Sequence, residues 1–116
     1  MFEIRKEQLD EFRKYRLNKF ISETSIYLRK FLPLNINSLT DVQLKSLIET
    51  GIQKAKNHEI ESEINITRYI VLMIKLGEDF DNIDWAKKVL KNITRDQDSA
   101  LSKLEEKTHN LINSKA

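Results

Sequence analysis

Hydrophobic and polar positions recur at helical spacing in five segments of the chain. The first runs from about Glu7 to Phe31, where charged residues fill the positions between apolar ones, and the spacing predicts one long amphipathic helix. Pro33 is expected to end this helix because proline cannot continue it, so residues 32–39 are predicted to be a connector. The apolar side chains that define the first helix are Leu9, Phe12, Phe20, Tyr27, Leu28 and Phe31.

The second predicted helix has the most regular stripe of the chain. Thr40 and Gln43 before it have the form of a capping box, in which two side chains bond free backbone amides at a helix start. Gly51 lies inside the stripe, where glycine costs roughly 1 kcal/mol relative to alanine. We therefore expect Gly51, and Ala55 one turn later, to let another helix approach closely; a glycine tolerated without a packing role is the alternative. The stripe consists of Leu44, Leu47, Ile48, Gly51, Ile52 and Ala55.

The third predicted helix is the most apolar and is expected to be central. Ser62 is its predicted cap, Glu63 suits the positive end of the helix dipole, and Gly77 is expected to end it. Apolar side chains surround most of its circumference, which is typical of a helix contacted on several sides. They are Ile64, Ile66, Tyr69, Ile70, Val71, Leu72, Met73, Ile74 and Leu76.

Two further helices are predicted after an acidic link that Phe80 anchors. Asp81 or Asn82 is the predicted cap of a short fourth helix, and a fifth begins at about Asp96. The tail, residues 113–116, is expected to fray. The pattern as a whole predicts an all-α fold, a compact bundle of four to five helices in a single domain spanning residues 1–116.

Composition supports a small helical domain. The chain has 116 residues with two glycines and one proline, far fewer than turn-rich β folds need. It has no cysteine, and 20 basic residues against 18 acidic ones give a net charge of +2. The first residues lack the pattern of a secretory signal, and the longest apolar run, Ile70 to Ile74, is too short to span a membrane. A cytoplasmic location is the expectation.

No set of side chains has the spacing of a catalytic or metal site. The acids Glu78, Asp79, Asp81 and Asp84 suggest calcium, but Ile83 occupies the third ligand position of such a loop. His58 and His109 lack partners at metal-binding spacing, and the glycines belong to no phosphate-binding loop. We expect a protein that is not an enzyme and needs no metal or cofactor. The basic first helix indicates a solvated face rather than nucleic-acid binding, because acids are interleaved with its bases.

The segment from Gly51 onward resembles a family of small helical bacterial proteins encoded beside type VI secretion genes, among spike proteins, tip proteins and toxic effectors. His58 and Glu59 stand where relatives tend to have tyrosine and glycine, and the link before Trp85 is shorter and lacks a proline, so the resemblance leaves the geometry of both turns open. The likeness is carried by Gly51, Ile52, Ala55, residues 60–63, residues 68–70, Leu72, Met73, Leu76, Gly77, residues 79–81, Trp85 and Ala86, with weaker agreement upstream at Gln8, Leu9, Phe12, Phe20 and residues 31–33.

The resemblance implies a protein-binding role without an established activity. We expect an adaptor or chaperone that binds an effector, spike or tip component of the secretion apparatus. The alternative is an immunity protein that binds and occludes a neighbouring toxin. Trp85 is either a core residue or part of a binding surface, and an ion pair is the plain structural explanation for Arg68 and the acids. The predicted partner-binding residues are Arg68, Asp79, Phe80, Asp81 and Trp85.

Overall fold

The computed structural model describes residues 6–114 and arranges them as six α-helices and one 3₁₀ turn. No strand occurs in this range, and the predicted all-α class is confirmed. The five predicted helices are present, and a one-turn helix lies inside the predicted connector, with Pro33 in its first turn, where the missing amide costs nothing. The elements are α1 Lys6–Phe31, α2 Pro33–Ile36, α3 Asp41–Asn57, α4 Glu63–Leu76, the 3₁₀ turn Phe80–Asn82, α5 Asp84–Leu90 and α6 Gln97–Ser114.

Two sequence-based expectations touch residues at the margins of the described range. The side chain of Leu9, a predicted member of the first stripe, lies outside the described residues. Of the tail predicted to fray, residues 113 and 114 belong to α6, whereas residues 115 and 116 lie outside the described range.

Helix α4 is central, as its all-round apolar character predicted. It contacts α1, α2, α3, α6 and the 3₁₀ turn. Tyr69, Ile70 and Met73 are fully buried in one hydrophobic core, whereas Ile64 in the first turn of α4 is 74% exposed. Neither α4 nor any other helix described between residues 6 and 114 is long and apolar enough to cross a membrane.

At Gly51, α3 packs closely against α4. A Cβ atom at this position would lie 2.6 Å from Cγ1 of Ile70 and 3.2 Å from Cε of Met73, well inside van der Waals separation. Ala55, one turn later, is fully buried. Helix α3 therefore approaches α4 at a distance that only glycine allows, which confirms the packing role predicted for Gly51.

The predicted helix ends are mostly confirmed. Thr40 and Gln43 form both bonds of a capping box, the Ser62 hydroxyl accepts a hydrogen bond from the Asn65 amide, and Gly77 ends α4 with φ 108°. The predicted capping of the fourth helix by Asp81 or Asn82 is wrong. Helix α5 begins at Asp84, so Ile83 holds the cap position and has no side chain that could accept a hydrogen bond. The Asp81 carboxylate is instead hydrogen-bonded to Lys54 and His58.

Helix α1 is long, as predicted, but its buried face differs from the predicted stripe. Its 26 residues span about 39 Å, whereas the 14 residues of α4 span only about 21 Å. Described side chains between residues 10 and 19 are all exposed, so only the second half of α1 packs against the bundle. The buried side chains of α1 are Phe20, Ile21, Thr24 and Leu28. The exposed members of the predicted stripe are Phe12, Tyr27 and Phe31.

The turn between α3 and α4 has the geometry that glycine favours, although glutamate occupies it. Glu59 adopts a left-handed conformation with φ 63°. The Ile60 amide donates to the Ala55 carbonyl at 2.9 Å and the Glu59 amide donates to the Lys56 carbonyl at 2.9 Å. These are the two bonds of a Schellman motif, and Ile60 and Ala55 supply its buried apolar contact. The resemblance did not decide the geometry of this turn. It is a Schellman helix end in which Glu59 has a strained, left-handed backbone.

Glu59→Gly is expected to raise the free energy of unfolding by about 1 kcal/mol, because glycine adopts the left-handed conformation without the steric cost of a Cβ atom. Gln53→Gly, an exposed position in the middle of α3, is the control and should lower the free energy of unfolding by about 1 kcal/mol. Urea denaturation measures both. Lower stability in Glu59→Gly than in the wild type would contradict the assignment.

Candidate functional site

The contacts of the five predicted partner-binding residues fall in separate places. Arg68 bonds α6, whereas Asp79 and Asp81 bond α3. Phe80 is buried in the core at 1% exposure, and its ring lies 5.0 Å from the ring of Tyr69. Trp85 is partly buried against the core, with the ammonium of Lys107 lying 5.8 Å from its ring. A shared partner surface formed by all five stays a prediction, and each has an internal contact.

Arg68 connects α4 to α6 through several hydrogen bonds. Its guanidinium donates to Asp98 Oδ1 at 2.6 Å, to Glu105 Oε1 at 2.6 Å and to Ser102 Oγ at 3.1 Å. The Arg68 side chain is 19% exposed. The hydrogen bond to Glu105 raises the pKa of Arg68; partial burial opposes this rise and the bond to Asp98 adds to it. The arginine is therefore a fixed cation that holds two helices together.

Asp81 is the centre of a second polar cluster, which connects α3 to the link after α4. Its Oδ2 lies 3.1 Å from Nε2 of His58, and its Oδ1 accepts from Lys54 Nζ at 3.4 Å. The same ammonium donates to the Glu78 carbonyl at 2.7 Å and to Asp79 Oδ1 at 3.1 Å. The Asp81 side chain is 16% exposed, whereas that of Asp79 is 81% exposed. Of the two acids, Asp81 is thus the one embedded in the fold.

The buried side of this cluster is aromatic. Tyr69 is fully buried between His58 and Phe80, and its hydroxyl makes no hydrogen bond of normal geometry within the described part of the chain. Burial, assisted by the nearby Asp81 charge, raises the pKa of the Tyr69 hydroxyl. Burial also acts to raise the pKa of Asp81, but hydrogen bonds and charge from His58 and Lys54 outweigh it, so that the pKa of Asp81 is lowered. No three His, Asp or Glu side chains among the described residues are grouped so that they could hold a metal ion.

Several exposed apolar side chains of α1 were not predicted as a site. Helical spacing placed Phe12, Tyr27 and Phe31 on the inner face, but these side chains are between 43% and 59% exposed. One feature of the sequence could have predicted the exposure of Phe12. The first apolar stripe is longer than the other predicted helices, so no neighbouring helix can cover its whole length. Tyr15 and Ile26, outside the predicted stripe, are 64% and 68% exposed. We call the exposed apolar side chains of this helix the α1 surface; they are Phe12, Tyr15, Leu17, Ile26, Tyr27 and Phe31.

A groove runs between α1 and the first turns of α4. It consists of two adjoining cavities of about 380 and 310 Å³ that share Phe20, Glu23 and Glu63. Arg16 crosses it, with Nη2 3.3 Å from Glu63 Oε1, and Arg68 lines one end. We call it the α1–α4 groove. Its apolar lining comes from Phe12, Tyr15, Phe20, Tyr27 and Ile64.

Neither a model of a known protein family, nor a curated protein, nor a solved structure matches this chain. The likeness to proteins of type VI secretion loci stays a prediction from the residues that carry it.

Arg68→Ala is expected to lower the free energy of unfolding by about 2 kcal/mol, because it removes charge-assisted hydrogen bonds between α4 and α6. Arg68→Lys should recover only part of this loss, since an ammonium lacks the planar fork of donors. Arg16→Ala is the control: this arginine is 61% exposed and bonds one exposed acid, so the loss should be at most about 0.5 kcal/mol. Chemical denaturation measures all three. Equal losses for Arg68→Ala and Arg16→Ala would contradict the role of Arg68.

Asp81→Asn should weaken the dependence of stability on acidic pH. The pKa of Asp81 is lower in the folded chain than its value of about 4 in the unfolded one. The ionised carboxylate therefore stabilises the fold above about pH 4, and this contribution is lost as pH falls through the lowered pKa. Thermal unfolding between about pH 6 and pH 2.5 should show a shallower decline for Asp81→Asn than for the wild type. Identical acid profiles for Asp81→Asn and the wild type would disprove the assignment.

Proposed function

We propose that this protein is a non-enzymatic adaptor or chaperone that binds a protein partner through the α1 surface. The observation that carries the proposal is the exposure of large apolar side chains along α1. Phe12 and Tyr15 are 56% and 64% exposed where the helix extends beyond the bundle, and Ile26 is 68% exposed in its packed half. Soluble monomers rarely leave large apolar surfaces in water, and aromatic residues are enriched where proteins meet.

The energetics favour a partner for α1. Removing one large apolar side chain from water stabilises a complex by roughly 1.5–3 kcal/mol before the costs of association are counted. The apolar side chains on α1 are between 42% and 68% exposed, so covering each of them would contribute about half of that amount. In contrast, the polar groups of Arg68 and Asp81 are already hydrogen-bonded within the bundle.

The partner class follows from the resemblance to type VI secretion loci. We propose that the chain acts in the cytoplasm and holds an effector, spike or tip component before loading. Asp79 and Trp85, which keep part of their surface in solvent, are the members of the predicted set best placed to add contacts. Phe80 would support them from inside the core.

The second candidate is an immunity protein. Glu78, Asp79 and Asp84 are exposed close together along the chain around the 3₁₀ turn, and an acidic surface would complement a basic cleft of a nuclease toxin. Deleting the gene distinguishes the two roles. If effector secretion stops while sibling cells stay resistant, the adaptor role is supported; if siblings become sensitive to killing, the immunity role replaces it.

The double variant Phe12→Gln/Tyr15→Gln should weaken binding to the partner at least about tenfold, because it removes two apolar side chains from the α1 surface without touching the core. The measurement is co-purification of the chain with each effector, spike and tip protein encoded beside it, followed by titration of the pair that forms. Val42→Gln/Ile112→Gln is the control, with 78% and 47% exposed side chains elsewhere. Binding of none of these proteins by the wild type would overturn the proposal.

A further inference from the structure

We propose that a surface cavity between α5 and α6 binds the phosphate group of a phosphate monoester. We call it the α5–α6 cavity. It is separate from the α1 surface, so the inference goes beyond the proposed function and does not depend on it. It rests on three properties of the described residues, which are the charge that lines the cavity, the hydrogen-bond donors beside that charge and the small extent of the positive surface.

The α5–α6 cavity carries an unbalanced positive charge. It has a volume of about 390 Å³, and Lys88, Arg95 and Lys103 line it together with one acid, Asp96. Four other cavities of the described residues have lining charges that either balance or include one more acid than bases. The net lining charge of +2, from three bases and one acid, distinguishes this cavity from those four.

The positive charge of the lining is not neutralised inside the protein. Among the described residues, none of the three bases forms an ion pair with an acid. The Asp96 carboxylate is already engaged, because its Oδ1 accepts a hydrogen bond from the Ser99 amide at 3.1 Å where α6 begins. Like charges around one cavity repel each other, and an anion bound between them would relieve that repulsion.

The chemistry of the lining suits a phosphate monoester. Such a group carries a charge between about −1.5 and −2 at pH 7, which matches the net charge of the lining. The guanidinium of Arg95 can bind two phosphate oxygens at once, and lysine binds phosphate as a point charge. Asn92 and Ser99 add an amide and a hydroxyl that can donate hydrogen bonds. Val89 and Ala100 supply apolar lining for the organic part of the ester.

The small extent of the positive surface disfavours two other anionic ligands. A single-stranded nucleic acid binds along a continuous basic groove, but Asp84 and Glu106 lie on the same two helices outside the lining. Lys107, the next base along α6, lies 5.8 Å from the ring of Trp85. An acidic peptide helix needs a longer apolar groove than the two apolar lining residues provide. A compact dianion needs neither feature.

Heteronuclear NMR of the full chain at pH 7 measures the binding and locates it. The phosphate probes are inorganic phosphate and phenyl phosphate, at constant ionic strength because salt screens exposed charges. We expect both to shift the backbone amide signals of Asn92 and Ser99 in a saturable way. Tighter binding of phenyl phosphate would identify an organic ester as the source of the phosphate group, and equal binding of the two probes would identify free phosphate.

Charge variants of the lining test the role of its bases. Lys88→Gln/Lys103→Gln should weaken binding of phenyl phosphate at least about tenfold, because it removes two of the three bases. The control Lys45→Gln/Lys56→Gln makes the same change of net charge at exposed positions of α3 and should leave the affinity within about twofold of the wild type. Circular dichroism checks that both variants keep their helix content.

A variant of the one acid in the lining changes the affinity in the opposite direction. Asp96→Asn should tighten binding of phenyl phosphate at least about threefold, since it removes a negative charge while asparagine still caps α6. Glu106→Gln makes the same change of charge outside the lining, and it should bind phenyl phosphate as the wild type does.

Two further probes decide between the ligand classes. They are an oligothymidine of about 15 nucleotides without a terminal phosphate and a glutamate-rich peptide of about 15 residues. Tighter binding of the oligothymidine than of phenyl phosphate at the same amides would replace the inference with nucleic-acid binding. Tighter binding of the peptide there would replace it with an acidic protein ligand.

The inference would also be overturned if neither phosphate probe gave saturable shifts, or if the variants of the lining and of α3 weakened binding equally. All of these results concern the α5–α6 cavity, whereas the proposed function is tested by co-purification through the α1 surface. Failure of one is therefore distinguishable from failure of the other.

Discussion

The approach of α3 to α4 at Gly51 determines the geometry on which the other contacts depend. With no side chain at this position, the backbone of α3 lies against Ile70 and Met73, and a Cβ atom would come within 2.6 Å of Ile70. A closely packed core has no room for added volume, so an extra methyl group there lowers the free energy of unfolding by about 1–3 kcal/mol. Because α4 contacts most of the other elements, a change in its distance from α3 would be passed on to them.

Polar contacts on either side of α4 complete this arrangement. Arg68 connects α4 to α6, and Asp81 holds the link after α4 against α3 through Lys54 and His58. In both places the charged groups that the sequence marked as unusual are hydrogen-bonded inside the fold. Fixed internal partners give these charged residues a structural role, and they direct attention to a different surface for binding.

The part of that surface formed by Phe12, Tyr15 and Leu17 arises from a mismatch of helix lengths. Helix α1 is almost twice as long as α4, so its buried side chains all lie in its second half and the described side chains of its first half are in solvent. In the second half, Ile26, Tyr27 and Phe31 are exposed beside the buried ones. The first half keeps aromatic and basic side chains that a bundle alone does not need. The groove beside it, with Ile64 exposed on the opposite wall, continues this apolar character onto α4. The exposed apolar side chains of α1 and of Ile64 are the surface on which the proposed function depends.

The sequence by itself determined the helices and most of their ends, because capping, glycine conformation and helical periodicity are local properties. Thr40, Ser62 and Gly77 act where the sequence places them, and Gly51 packs as its position in the stripe predicted. Only the tertiary structure decided which apolar stripes are covered and which charges are paired. Burial of Phe12 depends on how far a neighbouring helix extends, and the role of Asp81 depends on side chains more than 20 residues away in the chain. The periodicity of a sequence does not show how far a neighbouring helix extends or which distant side chains meet. The candidate binding surface could therefore be identified only from the packed helices.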